Sequence, residues 1–579
     1  MSARPSPWPE FYSDLLPNVL FAIADKYPSA TYAEFPRDPK DISKGYWKFT
    51  FADVANAVNA TAWWINQNVG KLEEEQKNGS QTLVYMGPSD IRYALLCLGS
   101  VIAGYKMLFP SPRYGAEALV KLIEAIDAKV LLSPETPYPI EAEILKNKKD
   151  TLRKLQLPNV DHFFSGRVTR YPFAKTFDTC KDEPMICLQG LTFSNIDTSG
   201  TTGFPKPIIW THDWVASQSR ALNLPPPAGF DFADALLRGG KDGTGRVLIT
   251  TPPYHASGIF SMVFHPLLLG TIPTYSQPGS TPEKTVDRAI SALEVLEAGR
   301  GGATETTQKV INLVSAIPPC MEYVAKHPSK LDQIAQKAQA LRYGGGSISR
   351  AAGDTIAQTM HLVCGIGATE LGTWSCIRPI DDDLRQDGKW EYLTPHPAIN
   401  MQFEPAAKDA AQTVYEAILV RNNGEEFDGF VQSFFKIHPD LEAHRTGDLF
   451  VRHPKYPDMW KHHGRADDLL VFLSNEKFFP TVAEQRLASH PGIAEALIVG
   501  TRRPKAALIV RLENGLKLDD VWDKIEEVNA GSPLYARVEK NMVVVAEEPF
   551  LKTAKGSIRK VEMLRKYSQE LDALYGETV

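Results

Sequence analysis

Cysteine is scarce in this sequence: six residues (Cys97, Cys180, Cys187, Cys320, Cys364 and Cys376) lie scattered through 579 positions. No Cys-x-x-Cys pair or Cys/His ligand spacing occurs, so a disulfide scaffold and a thiolate metal centre are excluded. Each thiol is expected to pack as a small buried apolar group in a reducing compartment. Long apolar runs are also missing. The longest, residues 94–105, is closed by Lys106 and falls short of the ~20 residues that a membrane span needs. The N-terminus lacks the apolar core of a signal peptide. These absences predict a soluble, cytoplasmic chain with no membrane partner. An excess of basic charge is absent as well, since 63 Lys and Arg face 69 Asp and Glu for a net −6. A nucleic-acid partner is therefore not expected, although a local basic groove for a phosphorylated ligand stays open.

What remains is the composition of an ordinary globular protein, 43% apolar and 23% charged. Apolar residues recur at helical spacing over residues 51–69, followed by a short buried strand at 82–86. A helix at 91–102, a strand at 105–109, a helix at 117–128 and a strand at 130–132 come next. Strands separated by helices of this length imply βαβ units and parallel sheets. Residues 73–80 and 298–307 read as surface loops. The last ~115 residues change texture, with strands at 494–499, 506–511 and 541–545 around a helix at 518–529. The fold expected is α/β: a large N-terminal domain of layered, mostly parallel sheets (1–464) and a small mobile α+β lid (465–579).

The segment richest in chemistry is Asp197-Thr-Ser-Gly-Thr-Thr-Gly-Phe-Pro-Lys-Pro207. Thr198, Ser199, Thr201 and Thr202 bring hydroxyls, Gly200 and Gly203 let backbone N–H groups approach a ligand, and Lys206 adds a mobile charge. That combination suits phosphate binding. It is not a Walker loop, because Phe204-Pro205 separates Gly203 from Lys206.

This string resembles the phosphate loop of the adenylate-forming superfamily of acyl-CoA synthetases, luciferases and peptide-synthetase adenylation domains. Further similar segments follow in the family's order. Tyr343-Gly-Gly-Gly-Ser347 resembles the adenine-binding turn. Gly365-Ile-Gly-Ala-Thr-Glu370 resembles the Tyr-Gly-x-Thr-Glu element, with Ile366 in place of Tyr. Arg445-Thr-Gly-Asp448 matches the ribose-binding segment, and Gly464-Arg-Ala-Asp-Asp468 the hinge. The resemblance spans roughly residues 50–560 and implies ATP and Mg²⁺ as cofactors. It assigns Thr198–Gly203 and Lys206 to the β,γ-phosphates, Thr369 to the α-phosphate and Glu370 to Mg²⁺. It also gives the adenine face to Gly345, Gly346 and Ser347, neighbouring nucleotide contacts to Gly367, Ala368 and Arg465, the ribose to Asp448 and the pivot to Asp467.

Two departures matter. The family commonly ends in Lys-Thr-x-x-Gly-Lys, whereas this chain reads Lys552-Thr-Ala-Lys-Gly-Ser557, so Lys555 is the expected lid lysine and Lys552 the reserve. Asn475 stands where a Gly commonly precedes Glu-Lys, and Asn tolerates left-handed backbone best among other residues. Residues 85–90, 103–105 and 108–113 resemble adenylation domains of fungal adenylate-forming reductases, which load acids on a phosphopantetheine carrier. No carrier or reductase motif occurs within the chain, so a separate carrier protein or domain is the expected partner.

Tyr254-His255, by resemblance, lines the path to the acyl pocket, and residues 254–260 contain no acid. A buried α-ammonium would lack a partner there. The expected substrate is a small carboxylic acid without a free α-amino group. The neutral segments near His255, 315–319, 344–346 and Ile366 favour aryl, α-keto or short aliphatic acids over polyanions. A free-standing acyl-CoA ligase and a non-catalytic nucleotide- or acid-binding member are the alternatives.

Overall fold

The computed structural model describes residues 14–73, 78–190, 206–238, 245–299, 309–380, 388–409, 412–424, 429–474, 476–513, 515–552 and 558–576. Helix Phe51–Asn68 starts at Thr50, whose hydroxyl accepts from the Asp53 N–H while the Asp53 carboxylate accepts from the Thr50 N–H. Strand Thr82–Tyr85, helix Arg92–Ala103, strand Lys106–Leu108, helix Ala116–Ala125 and strand Val130–Ser133 follow. This is the expected βαβ alternation. The helix carrying the longest apolar run is buried along its whole length. Lys106, which ends that run, is itself buried and donates to the carbonyls of Gly79 and Ser80 at 3.0 and 2.6 Å.

These strands belong to a six-stranded sheet that is parallel except for the last pair, Pro184–Gly190 with Lys206–Thr211. A second sheet of seven strands takes its parallel centre from Gly245–Ile249, Thr271–Tyr275, Ile311–Ala316, Ala338–Gly344 and His361–Gly365. The largest core cluster joins both sheets to the two helices between them, with Val58, Leu96, Leu83 and Val247 among its members. Helices Pro282–Ala298, Pro318–Ala325 and Arg350–Thr359 cover the other face of the second sheet.

A third sheet of seven strands is antiparallel, with long strands Met401–Asp409, Gln412–Val420 and Ala443–Arg452 beside Trp460–Arg465. After it comes a small body in which Ile493–Val499, Ala507–Leu512 and Val543–Val545 form a three-stranded sheet. Phe479 leads into that body and packs with Val414, Leu449 and Val451 of the third sheet. Strands Leu470–Val471 and Lys477–Phe478 pair as a hairpin, closed by the Phe472 N–H donating to the Glu476 carbonyl at 3.0 Å. Asn475 lies outside the described residues.

No described helix is long and apolar enough to cross a membrane. All six cysteines are free. Cys97, Cys180, Cys187 and Cys320 are buried, and burial pushes the Cys97, Cys187 and Cys320 thiols up to about 12.

Candidate active site

The parallel strands of the second sheet end on one side, where open α/β sheets leave a crevice for ligands. Strand Ala338–Gly344 runs into the turn that contains Gly345, Gly346 and Ser347. Gly345 sits in the left-handed region at φ 82°. A Cβ on Gly344 would stand 2.7 Å from the Gly365 carbonyl oxygen, so these two strand ends approach as closely as glycine alone permits. Gly346 lies against the Pro318 ring.

From this turn a polar chain crosses to the third sheet. The Ser347 hydroxyl lies 3.1 Å from His462 Nδ1, and His462 Nε2 lies 3.4 Å from Asp448 Oδ1. Arg465 Nη1 reaches the same carboxylate oxygen at 3.1 Å. Strand pairing fixes this arrangement, because Asp448 and Arg465 are opposite one another in the register of Ala443–Arg452 and Trp460–Arg465. Burial pushes the Asp448 carboxyl upward, but His462 and Arg465 outweigh it and hold it below the ordinary carboxylate value. Gly447 is left-handed at φ 71°, and a Cβ there would meet Arg465 Nη2 at 2.8 Å. Thr446 donates to the Ala417 carbonyl at 2.9 Å and accepts from the Asp448 N–H at 3.0 Å, which locks the Thr-Gly-Asp turn.

The segment bearing Gly367, Ala368, Thr369 and Glu370 turns between the short strands Gly367–Ala368 and Gly372–Thr373. Three side chains spaced four residues apart hold three consecutive carbonyls of that turn. Trp210 Nε1 donates to Thr369 at 2.8 Å, Trp214 Nε1 to Glu370 at 3.0 Å, and Gln218 Nε2 to Leu371 at 3.0 Å. The two indoles stack with ring centroids 4.1 Å apart and 8° between planes. Both are buried. Trp210 belongs to strand Lys206–Thr211, whose first residue is Lys206, exposed at the edge. The strand that begins at Lys206 is thereby fastened to the Thr369–Glu370 turn.

Tyr254 and His255 lie with ring centroids 4.8 Å apart, at the start of helix Ala256–Ile259. A Cβ on Gly258 would collide with the Pro252 carbonyl oxygen at 2.2 Å, so the tight turn before this helix demands that glycine. A hydrogen bond from Ser111 and the charge of Arg113 act on the Tyr254 hydroxyl, which ties the turn to the 108–113 segment singled out in the sequence.

Lys552 is held within the small body. It pairs with Glu495 at 2.5 Å and bridges to Ile558, while Glu495 also accepts from the Phe550 N–H at 2.9 Å. Asp468, beside the expected pivot, pairs with Lys560 at 3.1 Å. Thr198, Ser199, Gly200, Thr201, Thr202, Gly203, Lys555 and Ser557 lie outside the described residues, as do loop residues 300–308 and the Asp467 side chain.

Sequence reasoning missed His462, Trp210, Trp214 and Gln218. His462 was signalled only by its position two residues before Gly464, and the latch only by its four-residue spacing.

A profile described as the AMP-binding enzyme matches residues 21–401, and one described as the AMP-binding enzyme C-terminal domain matches residues 467–579. The chain belongs to the AMP-binding enzyme family. It is an adenylate-forming ligase of that family, similar to the adenylation regions of reductases. The carboxylic acid reductase of Neurospora crassa is 28% identical over 584 residues, covering 98% of this chain and 51% of that protein. The isocyanide synthase-NRPS hybrid crmA of Aspergillus fumigatus is 27% identical over 575 residues, covering 97% and 33% respectively. The chain thus spans a third to a half of the length of these relatives. Among solved structures, the anthranilate CoA ligase AuaEII with anthranoyl-AMP superposes with a TM-score of 0.68 at 15% identity, covering 98% of this chain and 99% of that one. The Bacillus subtilis O-succinylbenzoate coenzyme A synthetase with AMP gives 0.64 at 16% identity, covering 94% and 98%. These AMP-binding enzymes share the α/β fold with a small C-terminal domain.

Proposed function

We propose that this AMP-binding enzyme activates a small carboxylic acid lacking a free α-amino group and passes the acyl group to a phosphopantetheine thiol on a carrier. An aryl, α-keto or short aliphatic skeleton suits the pocket segments. The observation that carries the reading is the Ser347–His462–Asp448–Arg465 chain beside the latched Thr369–Glu370 turn. It sets an ionised acceptor, right for vicinal hydroxyls, next to an exposed glycine turn.

In the first half-reaction a substrate carboxylate oxygen bonds to the α-phosphorus of ATP. The α–β phosphoanhydride bond breaks and pyrophosphate leaves with the electron pair. Two anions must approach, so the site has to supply positive charge and a fixed in-line geometry. Lys206 and residues 198–203 bind the leaving pyrophosphate, and Thr369 orients the α-phosphate. Gly345, Gly346 and Ser347 receive adenine, Gly367 and Ala368 flank it, and Asp448 with Arg465 fixes the ribose. Among the described residues no three His, Cys, Asp or Glu side chains cluster for a metal. Glu370 is the carboxylate that would hold a Mg²⁺, an oxygen-seeking ion. When bound, the ion would supply charge neutralisation at the phosphates.

In the second half-reaction the thiol sulfur bonds to the acyl carbon, the acyl C–O bond to phosphate breaks, and AMP departs while the thiol proton passes to solvent. The small body pivots at Asp467 between the two steps, withdrawing Lys555, with a boundary near residue 465. His255 lines the acyl path. The reductase relatives, whose printed names include carboxylic acid reductase, support a carrier thiol as acceptor. Assay of thioester formation with a phosphopantetheinylated carrier against coenzyme A tests this, and preference for coenzyme A would make the chain a free-standing ligase.

A further inference from the structure

Strand Trp460–Arg465 is one residue longer than its pairing with Ala443–Arg452 requires. Asp448 stands opposite Arg465 and Leu449 opposite Gly464, but Phe450 stands opposite His462, so His463 is the extra residue. This is a β-bulge, a device that re-aims the side chains beyond it. Side chains alternate between the faces of a strand. Without the bulge, residues 465, 463 and 461 would share the Asp448 face and His462 would point away from it. With the bulge, His462 joins Asp448 and Phe450 on one face. Its ring meets Phe450 edge-on, with centroids 5.4 Å apart and 81° between planes. His463 goes to the opposite face and is buried against Phe479, which packs with Leu449 and Val451.

On that face His462 spans the second and third sheets. The Ser347 hydroxyl lies 3.1 Å from Nδ1, and Nε2 lies 3.4 Å from Asp448 Oδ1. An ionised carboxylate only accepts, so a neutral imidazole here carries its proton on Nε2 and accepts from Ser347 at Nδ1. The serine thereby selects the tautomer that serves Asp448. Arg465 Nη1 reaches the same oxygen at 3.1 Å. Both donors converge on Oδ1, which leaves Oδ2 to other donors. The Asp448 side chain stays 17% exposed, and Gly345 and Gly346 beside Ser347 are exposed, so both ends of the chain are open to a ligand.

We propose that His462 is a positioning residue for the nucleotide. It fixes the Asp448 carboxylate at a set distance from the glycine turn, so that Oδ2 meets the ribose hydroxyls of a nucleotide whose base lies at Gly345–Ser347. This rests on the nucleotide reading of the site and assigns ribose selectivity to a residue that the sequence motifs do not include. His462 touches no reacting atom and acts through Asp448.

The test measures calorimetrically the binding to the full chain of AMP and of dideoxy-AMP, which lacks both ribose hydroxyls. The ratio of the two affinities reports what the hydroxyls contribute. His462→Phe keeps a ring against Phe450 and deletes both hydrogen bonds. It should shrink that ratio by about tenfold, the scale of a hydrogen bond to a charged group. His462→Gln, whose amide N–H can stand where Nε2–H stood, should restore most of the ratio. In an Asp448→Asn background, His462→Phe should change it by less than about twofold, because the two residues act as one unit. A general loss of packing would weaken both nucleotides together and leave the ratio as it was, and the thermal midpoint of each variant reports that loss separately. A ratio unchanged in His462→Phe but lost in Asp448→Asn would overturn the proposal and keep the ribose assignment. A wild-type chain that binds both nucleotides equally, or neither, would overturn the two together.

Discussion

At the scale of single residues, charge placement decides what the site can hold. Asp448 is partly buried, yet His462 and Arg465 keep it ionised below the ordinary carboxylate range. An ionised acceptor in the neutral range is what the proposed contact with ribose hydroxyls requires. Asp448→Asn should weaken AMP binding by about tenfold or more, the scale of one hydrogen bond to a charged group, while ATP-independent acid binding stays unchanged. Titration of AMP affinity checks the sign. Affinity should hold as pH falls to the ordinary carboxylate value and drop only below it. Lys206 is exposed at the start of its strand, so its truncation leaves the core packing intact. Lys206→Ala should raise the KM for ATP by about tenfold and leave the thermal midpoint unchanged. Unchanged kinetics would remove Lys206 from the phosphate site.

At the scale of elements, the ladder of Trp210, Trp214 and Gln218 joins strand Lys206–Thr211 and the helix after it to the Thr369–Glu370 turn. Trp210→Phe keeps the ring and deletes one donor, leaving the Thr369 carbonyl without that partner. It should lower stability by about 1–3 kcal/mol. It should also raise the KM for MgATP more than the KM for the acid, a split that simple loss of packing would not produce. Lys552 belongs to a different kind of element. Its pairing with Glu495 anchors the strand-like segment before residues 553–557. Lys552→Ala should reduce thermal stability yet keep ATP–pyrophosphate exchange, whereas Lys555→Ala should cost exchange far more than thioester transfer. If Lys552→Ala abolishes exchange, it is the lid lysine.

At the scale of the whole molecule, buried histidines set the acid limit. Burial pushes His212 and His265 down to about 3, and His444 to about 4. The unfolded chain binds these protons near pH 6.5 and the folded chain does not. Stability therefore falls as pH drops from about 6.5 toward 4, by up to about 1.4 kcal/mol per pH unit for each group. Thermal midpoints measured across that window test this, and a midpoint rising on acidification would contradict it. The parallel sheets were legible from sequence because buried βαβ strands such as residues 82–85 and 130–133 are continuous apolar runs flanked by periodic helices. The antiparallel third sheet was not, since its long strands mix exposed and buried positions and its register depends on residues far apart, such as Asp448 and Arg465. The motif residues could be read one by one. Their support could not, because the donors that hold Thr369 and Glu370 come from 159 and 156 residues earlier in the chain.

The central claim is that this AMP-binding enzyme converts a carboxylic acid and ATP into an acyl-adenylate. Acid-dependent exchange of labelled pyrophosphate into ATP tests it most directly, across aryl, α-keto, aliphatic, dicarboxylic and amino acids. The account predicts exchange with acids that lack a free α-amino group. An amino acid as the best substrate would contradict the reading of residues 254–260, and no exchange with any acid despite measurable ATP binding would contradict adenylation itself.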